Sequence, residues 1–193
     1  MKLSTRDMIL IGAFASLAAV GAIAVRFGGQ AIVPFSPIPL VATAAGLMLG
    51  ARKGALAMLV YVLIGLAGVP VFAKAPFGGP QYFLQPTFGF LLGFIAAAFA
   101  AGAILGWNRR RGLPAYLAAS LCGVAAVYAV GLPYLWAMLN FVVAPGALAQ
   151  IGMSQPVSAI TVVKIGMVPY VALDLGKAVM AALLSRQVAQ RLP

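Results

Sequence analysis

Long apolar runs alternate along the chain with short stretches rich in proline, glycine and basic residues. This pattern is typical of helices that cross a membrane, because each crossing needs about 20 apolar residues. The runs predict six helices, at residues 8–25, 40–50, 55–68, 88–107, 114–143 and 173–192. The second and third runs are short, and runs of this length also form re-entrant or core helices.

Three long irregular segments separate these helices, at residues 26–39, 68–87 and 144–172. All three lie on the same side of the membrane if the helices alternate in direction. Residues 157–172 are apolar enough to suggest a seventh span, but Lys164 and Pro169 interrupt them. We therefore expect six spans.

The composition is that of a polytopic membrane protein. Hydrophobic residues make up 64% of the 193 residues, charged residues only 8%, and the mean hydropathy is +1.08. About a quarter of the residues in a soluble domain are charged. We expect an all-α integral membrane protein with one transmembrane domain over residues 1–193, without a soluble catalytic module.

The formal charge of +11 raises the question of nucleic acid, since basic patches bind phosphate. The thirteen Lys and Arg residues instead lie mostly in short gaps between apolar runs, where basic residues signal topology. Six spans with both termini in the cytoplasm put nine of these residues inside and Lys177 within the membrane, and leave three outside: Arg26, Lys74 and Lys164. We expect a lipid bilayer around the chain and no nucleic-acid partner.

The first apolar run also resembles a signal peptide, because Lys2 and Arg6 precede it and small residues end it at 22–24. The run is longer than a typical signal core, Asp7 lies in its basic start, and the chain that follows is itself apolar. We expect an uncleaved first helix.

Several classes of chemistry are excluded. The chain has no histidine, its single cysteine is Cys122, and no G-x-x-x-x-G-K-[ST] motif is present to bind ATP phosphates. With no histidine and only one acid inside the apolar runs, neither a metalloprotease nor a paired-aspartate protease can be assembled. We expect no enzyme activity, no metal and no cofactor.

Polar side chains gather at the predicted outer half of the helices, and we expect them to share one level and to line a pocket open to the exterior. The set comprises Gln81, Tyr82, Gln85, Thr87, Asn140, Asp174 and Lys177. Two alternatives for Asp174 and Lys177 are a self-satisfying i,i+3 pair and a lysine that extends to the interface. We favour ligand binding, because ionisable residues inside a membrane mark ligand or ion paths.

The other candidates have structural alternatives. Asn140 is equally suited to an interhelical hydrogen bond, Gln85 and Thr87 to capping the fourth helix, and Tyr82 to an interfacial belt. In the first helix, Ala15, Ala19 and Ala22 form a small-xxx-small pattern that permits close helix packing. The sequence leaves open whether the partner of this pattern is another subunit or the chain itself.

Two stretches carry a family resemblance: "GVPVFAKAPFGGPQYFLQPTFGFLLGF" at 68–94 and "GMVPYVALDLGKAVMAALL" at 166–184. They resemble the BioY family, the biotin-binding S components of energy-coupling-factor (ECF) transporters, and the resemblance extends over nearly the whole chain. It implies a six-helix S-component fold in the bacterial cytoplasmic membrane and a biotin pocket near the outer surface. It also implies partners, namely one transmembrane coupling (T) subunit and two ATPase subunits.

The resemblance assigns roles to individual residues. The family's acid and lysine in the last helix match Asp174 and Lys177, and its glycine-rich Pro-Thr loop matches residues 79–89. Its coupling-subunit contact in the first helix implies docking through Ala15 and Ala19. This chain departs from the family's Gly-Pro-Thr-Gly-Gly-Tyr pattern, because it reads "QPTFGF" and has Phe90 in place of the tyrosine.

Biotin suits such a site, because its ureido ring offers two N–H donors and one carbonyl acceptor. Asp174 is then the acceptor and Lys177 the donor, and Tyr82, Gln85, Thr87 and Asn140 are candidates for the remaining polar atoms. Two rival functions are an ion-coupled secondary carrier that titrates Asp174 and a purely structural subunit. A carrier of this kind predicts an inverted repeat, and the sequence shows none.

Overall fold

The computed structural model describes residues 3–27, 36–108, 112–150 and 152–191, and within these ranges it contains helices and no strands. Eight α-helices and one 3₁₀ helix, η1, follow one another in the order α1 (Thr5–Phe27), α2 (Ile38–Leu49), α3 (Ala51–Leu66), η1 (Pro80–Leu84), α4 (Phe88–Trp107), α5 (Leu113–Phe141), α6 (Pro145–Ala149), α7 (Ala159–Gly166) and α8 (Val168–Arg191). The all-helical fold class predicted from the sequence is confirmed.

The six predicted helices correspond to α1–α5 and α8, and the main difference is the start of α8. This helix begins at Val168 and not near residue 173. Pro169 lies in its first turn, where the missing N–H of proline has no intrahelical partner to lose. The proline is therefore accommodated in the first turn and does not interrupt the helix. The candidate seventh span contains α7, which has only 8 residues and is too short to cross a bilayer.

In the part of the chain that the structure describes, four helices are long and apolar enough to cross a membrane: α1, α4, α5 and α8. With 12 and 16 residues, α2 and α3 measure about 18 and 24 Å along their axes, less than the roughly 30 Å of hydrocarbon. Only Gly50, with a φ of 83°, separates them. The chain is a multi-pass membrane protein, and α2 and α3 form a short hairpin within it.

One end of the bundle is held by a charged contact between α1 and α3. Lys53 donates to Asp7 at 2.6 Å, and the Ser4 hydroxyl and the Asp7 carboxylate each accept from the other residue's backbone N–H at 3.2 Å. At the opposite end, Arg26 binds the loop after α3, and Asn140 binds the segment before α7. The described parts of the irregular segments therefore share one end, as the sequence predicted.

The alanines of α1 pack inside the chain. Ala15 is 4% exposed and Ala22 is fully buried, both in the main core cluster with residues of α2, α3 and α4, and Ala19 packs half-buried against that cluster. Close packing of small residues thus joins α1 to its own bundle. Ala15 and Ala22 therefore have little or no surface left for another subunit, and docking through them stays a prediction that this burial does not favour.

α4 packs between α2, α3 and α5, and the contact with α2 depends on a glycine. A Cβ built at Gly46 would lie 2.1 Å from the carbonyl oxygen of Ala98, far inside van der Waals contact. The two backbones therefore touch directly, which only glycine permits. This contact fixes the centre of the bundle.

We expect Gly46→Ala to destabilise the protein by about 1–3 kcal/mol, because the added methyl group overpacks this contact. The matched control is Gly12→Ala on α1, where no atom lies within 4 Å of the new Cβ. Thermal unfolding in detergent measures both. Equal melting temperatures for the two variants would contradict direct α2–α4 backbone contact.

Candidate ligand-binding site

A buried polar cluster joins α8 to α5. Asp174 is 6% and Lys177 5% exposed. Lys177 Nζ lies 2.8 Å from Asp174 Oδ1, and the Tyr128 hydroxyl donates to Asp174 Oδ2 at 2.6 Å. Each carboxylate oxygen therefore has a charged or polar partner, as a buried charge requires.

The cluster lies deeper than the sequence suggested. Tyr128 is in the middle of α5, and Asn140 follows it by twelve residues, about 18 Å along the axis at 1.5 Å per residue. Because α8 begins at Val168, Asp174 lies in its second turn. The polar candidates therefore do not share one level. Asp174 and Lys177 form a deeper level, here called the inner level, and the remaining candidates form a level nearer the irregular segments, here called the outer level because the sequence predicts that end to face outward.

The i,i+3 pair that the sequence left as an alternative is made in this structure, and Lys177 does not extend to the interface. Such a pair does not use all of the carboxylate's capacity to accept hydrogen bonds, because a carboxylate has about four lone-pair positions. Two donors occupy Asp174, so acceptor capacity remains for a ligand. The cluster can therefore bind a planar group that carries both N–H donors and a carbonyl.

The ring of Phe90 lies between the two levels. It meets Tyr128 edge-on, with ring centroids 6.4 Å apart, and packs half-buried against three of the hydrophobic clusters. A Cβ at Gly131 of α5 would come within 2.4 Å of this ring. The glycine makes room for an aromatic side chain next to the cluster, about one turn of α5 beyond Tyr128.

Tyr82 belongs to an aromatic group at the outer end of the bundle. It is 4% exposed, and its ring lies 4.3 Å from that of Phe72, which in turn meets Tyr61 edge-on. Burial raises the pKa of the Tyr82 hydroxyl, and the Lys74 backbone and, after it, the Thr87 side chain partly offset this shift. Tyr82 is therefore buried among aromatic side chains and is not an exposed residue of an interfacial belt.

Gln85 and Thr87 flank the start of α4 without capping it. Thr87 occupies the N-cap position, but its side chain makes no capping hydrogen bond. The Gln85 side chain makes a long 3.4 Å contact with the carbonyl of Ala75. The capping alternative is therefore wrong for Thr87, and both side chains remain candidates for ligand contact at the outer level.

Asn140 holds the segment before α7. Its amide nitrogen donates to the carbonyls of Val157 at 3.1 Å and Trp136 at 3.0 Å, and its amide oxygen accepts from the N–H of Val157 at 2.8 Å. Gln155 reinforces this link through the carbonyls of Leu139 and Val143. The interhelical hydrogen bond raised as an alternative for Asn140 is not among these contacts, because its partners are Trp136 on its own helix and Val157 in the irregular segment.

Arg26 was not among the sequence candidates, and it organises the loop after α3. Its Nε donates to the carbonyl of Phe72 at 3.0 Å, its guanidinium also binds the carbonyl of Pro70, and its Cζ lies 4.3 Å from the centre of the Phe77 ring. Phe77 has a φ of 67°, a conformation rare for a bulky residue. The sequence feature that could have identified Arg26 was its position as a single basic residue at the predicted outer end of the first span.

Tyr128 was also missed, because nothing near it in the sequence is polar. Its role depends on which residue of α8 faces it, and a helix pairing of this kind cannot be read from either helix alone. Tyr134, six residues later, donates to the carbonyl of Phe83 and so ties α5 to η1. The two tyrosines link α5 to both levels.

A separate cavity of about 290 Å³ lies beside α7, at the outer end of the bundle. None of the sequence candidates lines it. Its walls are Gly152, Met153, Ser154, Pro156, Val157, Ser158 and Thr161.

Comparison with known proteins gives consistent matches. The sequence model of the BioY family matches residues 1–193. The chain is 36% identical over 196 residues to a protein named biotin transporter BioY from Rhodobacter capsulatus, and the match covers 97% of this chain and 95% of that one. It is 35% identical over 181 residues to a protein of the same name from Thermotoga maritima, and this match covers 93% of this chain and 94% of that one.

A solved structure shares the fold. It is described as the S-component for biotin from an ECF-type ABC transporter, and it covers 99% of this chain and 96% of its own, with a TM-score of 0.68 and 18% identity. The helix arrangement described above is therefore that of an ECF S component.

We expect Arg26→Gln to loosen the loop at 68–79, because the neutral side chain cannot bind two carbonyls and stack on Phe77. Hydrogen bonds from charged donors contribute about 1.5–3 kcal/mol, so amide exchange there should be about 10- to 100-fold faster. The N–H groups of Phe72 and Gly79, which are hydrogen-bonded in this loop, report the change by hydrogen exchange. Arg52→Gln, at an exposed position near the other end, is the control. Unchanged exchange would contradict this role.

Proposed function

The chain belongs to the BioY family, a family of transporter subunits and not of enzymes, and we propose that it binds biotin as the substrate-specific subunit of an ECF-type transporter. The observation that carries the proposal is the match of this family over all 193 residues. The relatives named as biotin transporters support it. The buried acid–lysine cluster supports it as well, because such a cluster can bind a polar ligand.

The chemistry of the inner level suits the ureido ring of biotin. The Asp174 carboxylate accepts from a ureido N–H with its remaining lone pairs, and Lys177 donates to the ureido carbonyl. Both groups are already desolvated in the bundle, so a ligand that replaces part of their mutual contact meets strong electrostatic partners. A hydrogen bond to a charged group contributes about 1.5–3 kcal/mol.

The outer level suits the other end of biotin. The apolar thiophane ring and valeryl chain lie along Phe90, and the carboxylate reaches the polar groups of Tyr82, Gln85 and Thr87. Asn140 contributes indirectly in this arrangement, because its amide is engaged by the backbone of Val157. The ligand thus bridges the two levels that the structure separates.

We place the protein in the bacterial cytoplasmic membrane with six spans and both termini inside. The four long apolar helices and the order of α1–α5 and α8 along the chain support this topology. The basic residues support it as well, because nine of thirteen fall on the inner side. The short α2–α3 hairpin then spans a locally thinned or tilted region.

The energy for uptake comes from a coupling T subunit and two ATPase subunits, since the sequence has no phosphate-binding loop of its own. Ala15 and Ala22 are buried against the chain's own bundle, so they offer the coupling subunit little or no surface. The opposite face of α1 is exposed and apolar. It carries Ile9, Ala13, Ser16, Leu17, Val20 and Ala24. We place the docking surface on this face, with Ala19 at its edge.

We expect purified protein to bind biotin with measurable heat by titration calorimetry, and Asp174→Asn to weaken binding at least about a hundredfold. Breaking a buried charged pair costs about 3–5 kcal/mol. Asp7→Asn is the matched control, because Asp7 is the only other acid and lies at the far end of the bundle. A wild type that fails to bind biotin would refute the function. Normal affinity in Asp174→Asn would refute only the site.

A further inference from the structure

We propose that Tyr128 is a positioning residue for ligand binding: its hydroxyl sets the orientation of the Asp174 carboxylate, and Asp174 then contacts the ligand. This inference rests on the proposed function and adds to it a residue that itself does not touch biotin. The distance between the Tyr128 hydroxyl and Asp174 Oδ2 is 2.6 Å, typical of a short hydrogen bond to an ionised group.

The need for such a residue follows from where the partners of Asp174 come from. Lys177 is three residues away on the same helix, so its ion pair with Asp174 does not by itself join the carboxylate to another helix. Tyr128 lies on α5, the helix that packs against α8. Its hydrogen bond therefore fixes the carboxylate relative to a second wall of the site.

The Tyr128 side chain is itself held in place. Its ring meets that of Phe90 at 85°, and it packs in a buried cluster with Val124 and Ala178. With the ring packed in this way, the hydroxyl points towards Asp174. A carboxylate held by an immobile donor is pre-organised for a ligand, which lowers the ordering cost of binding.

The hydrogen-bond capacity of the carboxylate permits Tyr128 and a ligand to bind at the same time. Two of about four lone-pair positions are occupied, one by Lys177 and one by Tyr128. The two that remain can accept from a ureido N–H. Tyr128 therefore stays bonded when biotin binds and is not displaced by it.

The test is a double-mutant cycle measured by titration of purified protein with biotin. We expect Tyr128→Phe to weaken binding about 10- to 100-fold, as expected for the loss of a hydrogen bond to a charged group. In an Asp174→Ala background the same change should weaken binding less than about threefold, because no carboxylate remains to be oriented. Tyr116→Phe, equally buried on α5 but packed in a different cluster, should leave affinity unchanged.

A second measurement applies if Asp174→Ala binds too weakly to titrate or melts early. Biotin methylated at its ureido nitrogens cannot donate to Asp174, so Tyr128→Phe should penalise this analogue less than it penalises biotin. Three results would overturn the role of Tyr128. The first is unchanged biotin affinity in Tyr128→Phe, and the second is an equal loss of affinity from Tyr128→Phe with Asp174 present and with Asp174→Ala. The third is an equal loss of affinity for biotin and for the methylated analogue. Failure of the wild type to bind biotin would instead refute the proposed function.

Discussion

The structure depends on one constraint: a carboxylate buried in an apolar helical bundle must be satisfied by side chains around it. Asp174 meets this constraint through Lys177 on its own helix and Tyr128 on α5. The cost of an unpaired charge at this depth is large enough to decide which helices stand next to each other. The hydrogen bond between α5 and α8 meets this constraint at the candidate site, and apolar residues on both sides of it complete the packing of the two helices.

The outer end of the bundle is organised differently, by side chains that bind backbone carbonyls. Arg26 binds the loop after α3, Tyr134 binds η1, and Asn140 binds the segment before α7. Irregular backbone near a membrane needs such partners because lipid offers none. These contacts give the outer level a defined shape, so that its polar groups lie above Phe90 and the buried cluster below it.

Much of this architecture could be predicted from the sequence. Apolar runs predicted six of the helices, and two motifs indicated the family that the whole-chain match then established. The depth of Asp174 could not be predicted, because a proline at position 169 indicates a break between helices. In the structure Pro169 lies in the first turn of α8, which begins at Val168. The direction in which Ala15 and Ala22 face was also inaccessible, since alanines are frequent on every side of α1. The role of Tyr128 could not be predicted either, because it depends on which residue of α8 lies opposite it.

The most direct test of the central claim is a structure of the protein with biotin bound. The account predicts a ureido nitrogen within about 2.7–3.2 Å of the Asp174 carboxylate, with the Tyr128 hydroxyl still bonded to Oδ2. Biotin seated elsewhere, with Asp174 satisfied by Lys177 and Tyr128 alone, would contradict it.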